Sequence, residues 1–257
     1  MNGLFQDVFP QELILEIFSH VSFTDLKSCL SLVNKKTKEY ATDLFVLKRI
    51  IYREKAFNAE DWINFFKVEV LESELKQAFE SFPAVIGNIF NSPCPIFPNK
   101  TFGQTHLIVW IPASISINNY GMLLKEKFPL SREGYEYIWN EVVRDFGKLQ
   151  SNASRWLVMT RKAIPLSGDK TYFEQQAMVN ELKNYSVVSL LEAIICISTT
   201  IFKHEVVLLD QWYLRCNEEI LGHQVAINFW SPSGFYILPS PKLLKDPHVG
   251  IACTTRF

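Results

Sequence analysis

Glycine is scarce in this chain, at 10 of 257 residues, and it builds no GxxxxGK[ST] or GxGxxG phosphate loop. GxSxG and HExxH are missing as well, which removes the sequence marks of an α/β-hydrolase nucleophile and of a zinc protease. The five cysteines, Cys29, Cys94, Cys196, Cys216 and Cys253, are scattered and odd in number. No CxxC or Cys/His spacing of the zinc type occurs, so neither a zinc module nor a disulfide framework is expected. Cys29, Cys196 and Cys253 sit in apolar segments and read as small core hydrophobes, reduced in a cytosolic setting. His20, His106, His204, His223 and His248 do not cluster with carboxylates, so no metal and no cofactor is expected.

An excess of charge is also lacking. Lys plus Arg number 26 against 27 Asp plus Glu, for a net charge of −1, which argues against a nucleic-acid partner. The one short basic run, Asn34-Lys35-Lys36-Thr37-Lys38, is closed by Glu39 and reads as a solvated helix face. The most apolar stretch, Val187 to Phe202, is interrupted by Ser189, Glu192 and Ser198–Thr200 and is too short and polar for a membrane span. Met1 to Asp7 has neither a basic start nor an apolar run, so no Sec-type signal is expected. A soluble, cytoplasmic protein without a membrane partner is the expectation.

What the chain does have is apolar and aromatic mass. Hydrophobic residues make up 48% and aromatics 14%, with 20 Phe, enough to bury a sizeable core and leave rings for recognition. Pro10 at a first helical position is followed by Leu13, Ile14, Ile17, Phe18 and Val21 on one helical stripe. Ser22 to Asp25 breaks the pattern, and Leu26, Cys29, Leu30 and Val33 form a second stripe. A last stripe carries Leu44, Leu47, Ile50 and Ile51. Asn58-Ala59-Glu60-Asp61 then reads as an N-cap opening one long amphipathic helix with Trp62, Phe65, Phe66, Leu71, Leu75, Phe79 and Phe82, limited by Pro83.

Pro93, Pro95 and Pro98 mark the best candidate boundary. The expected division is a helical module over 1–55, a connecting helix over 56–90, a Pro-rich linker over 91–99 and a mixed domain over 100–257. In that last part Thr105–Ile111, Trp156–Thr160, Glu205–Leu209, Gln224–Trp230 and Val249–Thr255 read as strands. Tyr135 to Phe146 reads as a helix ended by Gly147, Thr171 as the cap of a helix to about Lys183, and Val187–Phe202 as an apolar helix. No βαβ rhythm appears, so the fold class expected is α+β, with a mainly antiparallel sheet packed on helices.

The N-terminal order Phe9-Pro10-x-Glu12-Leu13-x-x-x-Ile17-Phe18-x-x-Val21-x-x-x-Asp25-Leu26, continued by Val33 and the Leu44 region, resembles the F-box family. Phe9, Thr37 and Phe45 depart from that pattern, where the family more often has leucine, tryptophan and tryptophan. The resemblance implies a three-helix module that binds the Skp adaptor of cullin–RING ubiquitin ligases. Phe9, Pro10, Glu12, Leu13, Ile17, Phe18, Val21, Asp25, Leu26 and Val33 would be its contact residues. Residues from about 100 onward are similar, more loosely, to C-terminal domains of F-box proteins from amoeba-infecting chlamydial bacteria. Trp110-Ile111-Pro112, Gly134 to Trp139, Trp156 to Thr160, Tyr172 to Ala177 and Gly250 to Ala252 carry that likeness. It implies a bacterial effector without assigned chemistry, delivered by a non-Sec route to host cytoplasm, holding an unknown protein substrate.

Two alternatives stay open at the level of sequence. A cysteine hydrolase would pair Cys216 or Cys196 with His223 or His204. A non-catalytic protein would instead self-associate through its helical stripes. Leu166 to Thr171, before a helix N-terminus, offers a place for an anion or a plain capped loop. Trp212, Tyr213, Phe235 and Tyr236 read equally as recognition surface or core.

Overall fold

A computed structural model of the protein describes residues 44–206, 208, 212–230 and 233–256. The ten residues expected to dock a partner, Phe9 through Val33, lie outside them. Within the described residues the class is α+β, with two five-stranded mixed sheets whose strands are mostly antiparallel.

Helix α1 (Leu44–Ile50) runs directly into a π-helical turn, Ile51–Lys55. Ile50, Ile51 and Tyr52 are buried there, and Tyr52 meets Phe79, Phe82 and Trp156 edge-on at 5.1, 5.7 and 5.7 Å. After the short strand β1 (Ala56–Phe57), Asn58 caps α2 (Ala59–Phe66) as its sequence indicates. Asn58 Oδ1 accepts from the Asp61 N–H at 3.1 Å, and Asp61 returns a carboxylate to the Asn58 N–H at 2.8 Å.

The single long helix expected from Asn58 to Pro83 does not form. Lys67 takes a left-handed φ of 56°, and the chain restarts as α3 (Glu72–Glu80) and, beyond Pro83, α4 (Ala84–Ile89). The intervening Lys67-Val68-Glu69-Val70 carries two β-branched residues of low helix propensity. Breaking there lets Trp62 and Phe66 pack on Tyr120, at 5.6 and 5.4 Å, while Phe79 and Phe82 turn back onto Tyr52.

Residues 91–99 have no regular structure, yet they are packed. Pro93, Pro95 and Pro98 are exposed, whereas Cys94, Ile96 and Phe97 are buried in a cluster with Ile164, Tyr172, Val179 and Ile251. A four-residue helix, α5 (Phe102–Thr105), then delivers β2 (His106–Ile111), buried along its whole length. The first sheet runs β1-β2-β4-β10-β5, with β4 at Arg155–Thr160, β5 at Ser186–Val187 and β10 at Cys253–Arg256. Ile108 pairs with Val158 and Met159 with Thr254, both antiparallel, while Ala56 lies parallel to Ile108.

Helix α6 (Ile117–Lys127), not foreseen from sequence, packs Gly121 against the turn before β3 (Tyr135–Ile138). The helix expected over Tyr135–Phe146 is therefore cut in two. Tyr135 to Ile138 joins the second sheet, and only Asn140–Phe146 (α7) is helical, ending at Gly147 as expected. The second sheet runs β3-β8-β7-β6-β9, with β6 at Tyr213–Ile220, β7 at His223–Trp230, β8 at Gly234–Pro241 and β9 at Val249–Ile251. β8 holds Pro239 and Pro241 beyond the reach of β3, which pairs with it only from Phe235 to Ile237. The missing N–H groups therefore cost no ladder bond on that side.

Between the sheets lies α9 (Leu190–His204), which touches β1, β2 and β4 of one sheet and β6 and β7 of the other. Its all-round apolar pattern is that of a buried helix. Ser198, Thr199 and Thr200 return their hydroxyls to carbonyls four residues earlier, at 2.7, 2.8 and 2.8 Å. The helix α8 (Tyr172–Asn180) begins at the Thr171 cap and ends three residues short of Lys183. Glu205, expected in a strand, is instead the left-handed C-cap of α9 with φ 55°. Among the described residues no helix is long and apolar enough to cross a membrane.

Candidate functional site

A cleft of about 700 Å³ opens where β4 ends and β2 begins. That size suits a small organic molecule. Arg161 directly follows β4, and its backbone N–H bonds the Thr105 carbonyl at 2.8 Å, extending the β2–β4 pairing by one residue. Lys100, before α5, and Lys162 complete a group of three cations on the lining. No carboxylate lines the cleft among the described residues. Phe97, Ile164 and Trp212 supply its apolar surface, and Gln104 and Thr105 its neutral polar groups.

Arg161 is half-buried. Its Nε donates to the His106 carbonyl at 3.1 Å, and it makes no ion pair among the described residues. Burial pulls the guanidinium below its usual range. Two histidines flank it. Burial, with Arg161 adding to it, pushes His106 down to about 4, and the same causes with Lys203 and Lys55 push His204 down to about 4. Both rings are therefore neutral at pH 7. His106 stacks on Phe102 at 4.0 Å, lies 3.0 Å from Thr105 Oγ1 through Nδ1 and meets the Tyr185 hydroxyl through Nε2 at 3.1 Å. With Nδ1 also 3.3 Å from the Phe102 carbonyl, the proton belongs on Nδ1 and Tyr185 donates to Nε2.

The residues singled out for thiol chemistry do not come together. Cys196 and Cys216 are fully buried, and burial drives both thiols well above their normal range. Cys216 Sγ lies only 3.8 Å from the Leu214 carbonyl, while His223 Nδ1 lies 3.1 Å from the Leu221 carbonyl at the hairpin end. His223 pairs with Ile220 at the hairpin end, whereas Arg215, next to Cys216, pairs with Ala226, three residues or roughly 10 Å along β7 from His223. Cys196 and His204 are eight residues apart on α9, roughly 12 Å along its axis. Among the described residues no group of three or more His, Cys, Asp or Glu side chains gathers as a metal site.

The helix N-terminus after Leu166–Thr171 is already filled. Glu174 accepts from the Thr171 N–H at 2.7 Å and from its hydroxyl at 2.8 Å, and these bonds hold the carboxyl down to about 2. Of the four aromatic residues read as surface or core, Phe235 is fully buried, Tyr213 and Tyr236 are half-buried, and Trp212 is exposed on the cleft.

One polar cluster escaped the sequence because its members are distant in the chain. Arg155, Glu192 and Glu218 meet beside a second cavity, of about 410 Å³. Arg155 Nη2 lies 3.2 Å from Glu192 Oε1, and Ser151 accepts from Nη1. Both carboxylates cap α9: Glu192 accepts from the Ser189 N–H and Glu218 from the Leu190 N–H, at 3.2 and 2.8 Å. Burial pushes Glu218 up to about 7, and Glu192 adds to the shift. The cluster has a structural occupation, whereas the cations of the cleft meet no carboxylate among the described residues.

No family model matches the chain, and neither does any curated protein or solved structure.

Proposed function

We propose that the protein is a non-catalytic adaptor. It docks through residues 9–33 onto the Skp subunit of a cullin–RING ubiquitin ligase and offers residues 100–257 to a protein to be ubiquitylated, as an effector in a eukaryotic host. The observation that carries this reading is the spaced set Pro10-x-Glu12-Leu13 with Asp25-Leu26, a sequence pattern whose two short apolar stripes would leave one face for a partner groove. The described part suits such a role mechanically. The chain enters through α1 and passes, with no Gly/Ser linker, into the buried Ile50, Ile51 and Tyr52.

The cysteine-hydrolase alternative gains no support from Cys196 or Cys216, whose thiols are buried and held protonated by that burial. Co-purification of the full chain with a recombinant Skp adaptor is the test. Wild type should bind, and Ile17→Asp combined with Leu26→Asp should abolish binding while leaving the melting transition in place. Retained binding by the double variant, or none by wild type, removes the reading. The solution mass of the lone chain in the same experiment separates the adaptor from a self-associating protein.

A further inference from the structure

We propose that the cleft around Arg161 is a binding site for a small organic anion, a carboxylate or phosphate ester attached to an apolar or aromatic body. This goes beyond the adaptor reading and does not depend on it.

The charge argument begins with Arg161. A guanidinium withdrawn from water is normally held by a carboxylate, because removing a charge from solvent costs several kcal/mol when it is left uncompensated. Arg161 has only the His106 carbonyl, which occupies Nε and leaves the terminal N–H groups without a protein acceptor among the described residues. Those groups form the fork that accepts a carboxylate or phosphate in two parallel hydrogen bonds. Lys100 and Lys162 line the same cleft, are exposed, and make no ion pair among the described residues. Gln104 spends its Oε1 on the Thr101 N–H at 2.9 Å, and its amide N–H groups have no protein acceptor among the described residues. Among the described residues the cleft therefore combines a surplus of donors and positive charge with no acid on its lining.

The apolar argument fixes the rest of the ligand. An inorganic ion would fill a small fraction of about 700 Å³ and would leave Phe97, Ile164 and Trp212 unused. Leu166 lines the same cleft with 86% of its surface exposed and a left-handed φ of 63°. A leucine in that conformation costs about 1 kcal/mol, and its exposure gives no burial in return. A ligand body lying between Leu166 and Trp212 would supply that burial. A nucleic-acid strand fits less well, because the cleft gathers only three cations in a chain of net charge −1.

The test is a titration of the full chain with phenyl phosphate and phenylacetate, against inorganic phosphate and neutral benzyl alcohol, read by tryptophan fluorescence and calorimetry. At least one aromatic anion should bind with a Kd at or below about 1 mM, and the two anions distinguish a phosphate from a carboxylate preference. Arg161→Gln should weaken binding at least about tenfold, as expected for loss of a charge-assisted pair. Lys100→Gln with Lys162→Gln alters only exposed side chains and should weaken it several-fold, which keeps the proposal testable if Arg161→Gln unfolds. Trp212→Phe should remove most of the optical signal and retain calorimetric binding.

The proposal is overturned if neither aromatic anion binds at roughly 10 mM, if benzyl alcohol binds as well, or if both charge variants bind like wild type. Binding of inorganic phosphate as tight as phenyl phosphate would overturn the apolar half. Binding of a single-stranded oligonucleotide, with no small anion bound, would overturn it in favour of a nucleic-acid site.

Discussion

Arg215 Nη1, on β6, donates to Gln175 Oε1, on α8, at 3.0 Å, and through this pair a buried network ties the second sheet to α8 and the loop after β8. Gln175 Nε2 continues to the Ser167 and Val249 carbonyls at 2.6 and 2.8 Å. The other guanidinium hydrogens reach Ser240 Oγ and the carbonyls of Lys170, Pro241 and Leu244, at 3.0, 3.0, 3.3 and 2.7 Å. Arg215 is fully buried, and neutral oxygens alone satisfy its charge in these bonds. This differs from Arg161, whose terminal donors meet no acceptor among the described residues.

Arg215→Met should therefore be among the most destabilising single changes. It leaves the Gln175 carbonyl oxygen and several backbone carbonyls without donors, at about 3 kcal/mol or more in all. Urea denaturation should show that loss as a lower midpoint. Phenyl phosphate affinity at the Arg161 cleft should be unchanged under conditions where the variant stays folded.

Glu218 predicts a pH dependence. Its folded pKa, pushed up to about 7 by burial, lies above the ordinary carboxylate value, so the folded state binds the proton more tightly than the unfolded chain. The contribution of this group to stability is most favourable below the unfolded value and is lost as pH rises through the folded one. That loss amounts to about 2 kcal/mol between pH 5 and 8. Glu218→Gln keeps an oxygen for the Leu190 N–H and removes the titration. Chemical denaturation across that window should show a flatter profile for the variant and higher stability at pH 8.

Gly134 should tolerate no side chain. Its φ is +87°, and a Cβ there would stand 1.9 Å from the Gly121 carbonyl oxygen. Gly134→Ala must push α6 away from the start of β3, at a cost of about 2 kcal/mol or more. A fall in the melting temperature, together with weakened amide protection in β3, is the expected outcome.

The buried thiols should be silent. Iodoacetamide at neutral pH should leave Cys94, Cys196, Cys216 and Cys253 unmodified in the folded protein, since all four are buried. Mass mapping after brief labelling reads each site separately. Fast alkylation of Cys196 or Cys216 would show an activated thiol and reinstate hydrolase chemistry.

The sequence by itself determined the α+β class, the Asn58 and Thr171 helix starts, and, to within one residue, the strands at His106–Ile111 and Arg155–Thr160. These are local events, set by capping side chains and by β-branched and aromatic runs within a few residues. It also supplied the spaced pattern from Phe9 to Val33, on which the adaptor proposal rests. Tertiary structure decided the rest. It broke the helix after Phe66, because ring packing on Tyr52 and Tyr120 outweighed the 3.6-residue period. It drew Asn217, Glu218 and Pro239 into strands, since their neighbours, and not their own propensities, provided the pairing. The cleft was invisible in sequence for the same reason. Lys100, Arg161 and Trp212 are separated by 51 residues or more, and only the meeting of β2 and β4, beside the segment after α9, sets them around one space.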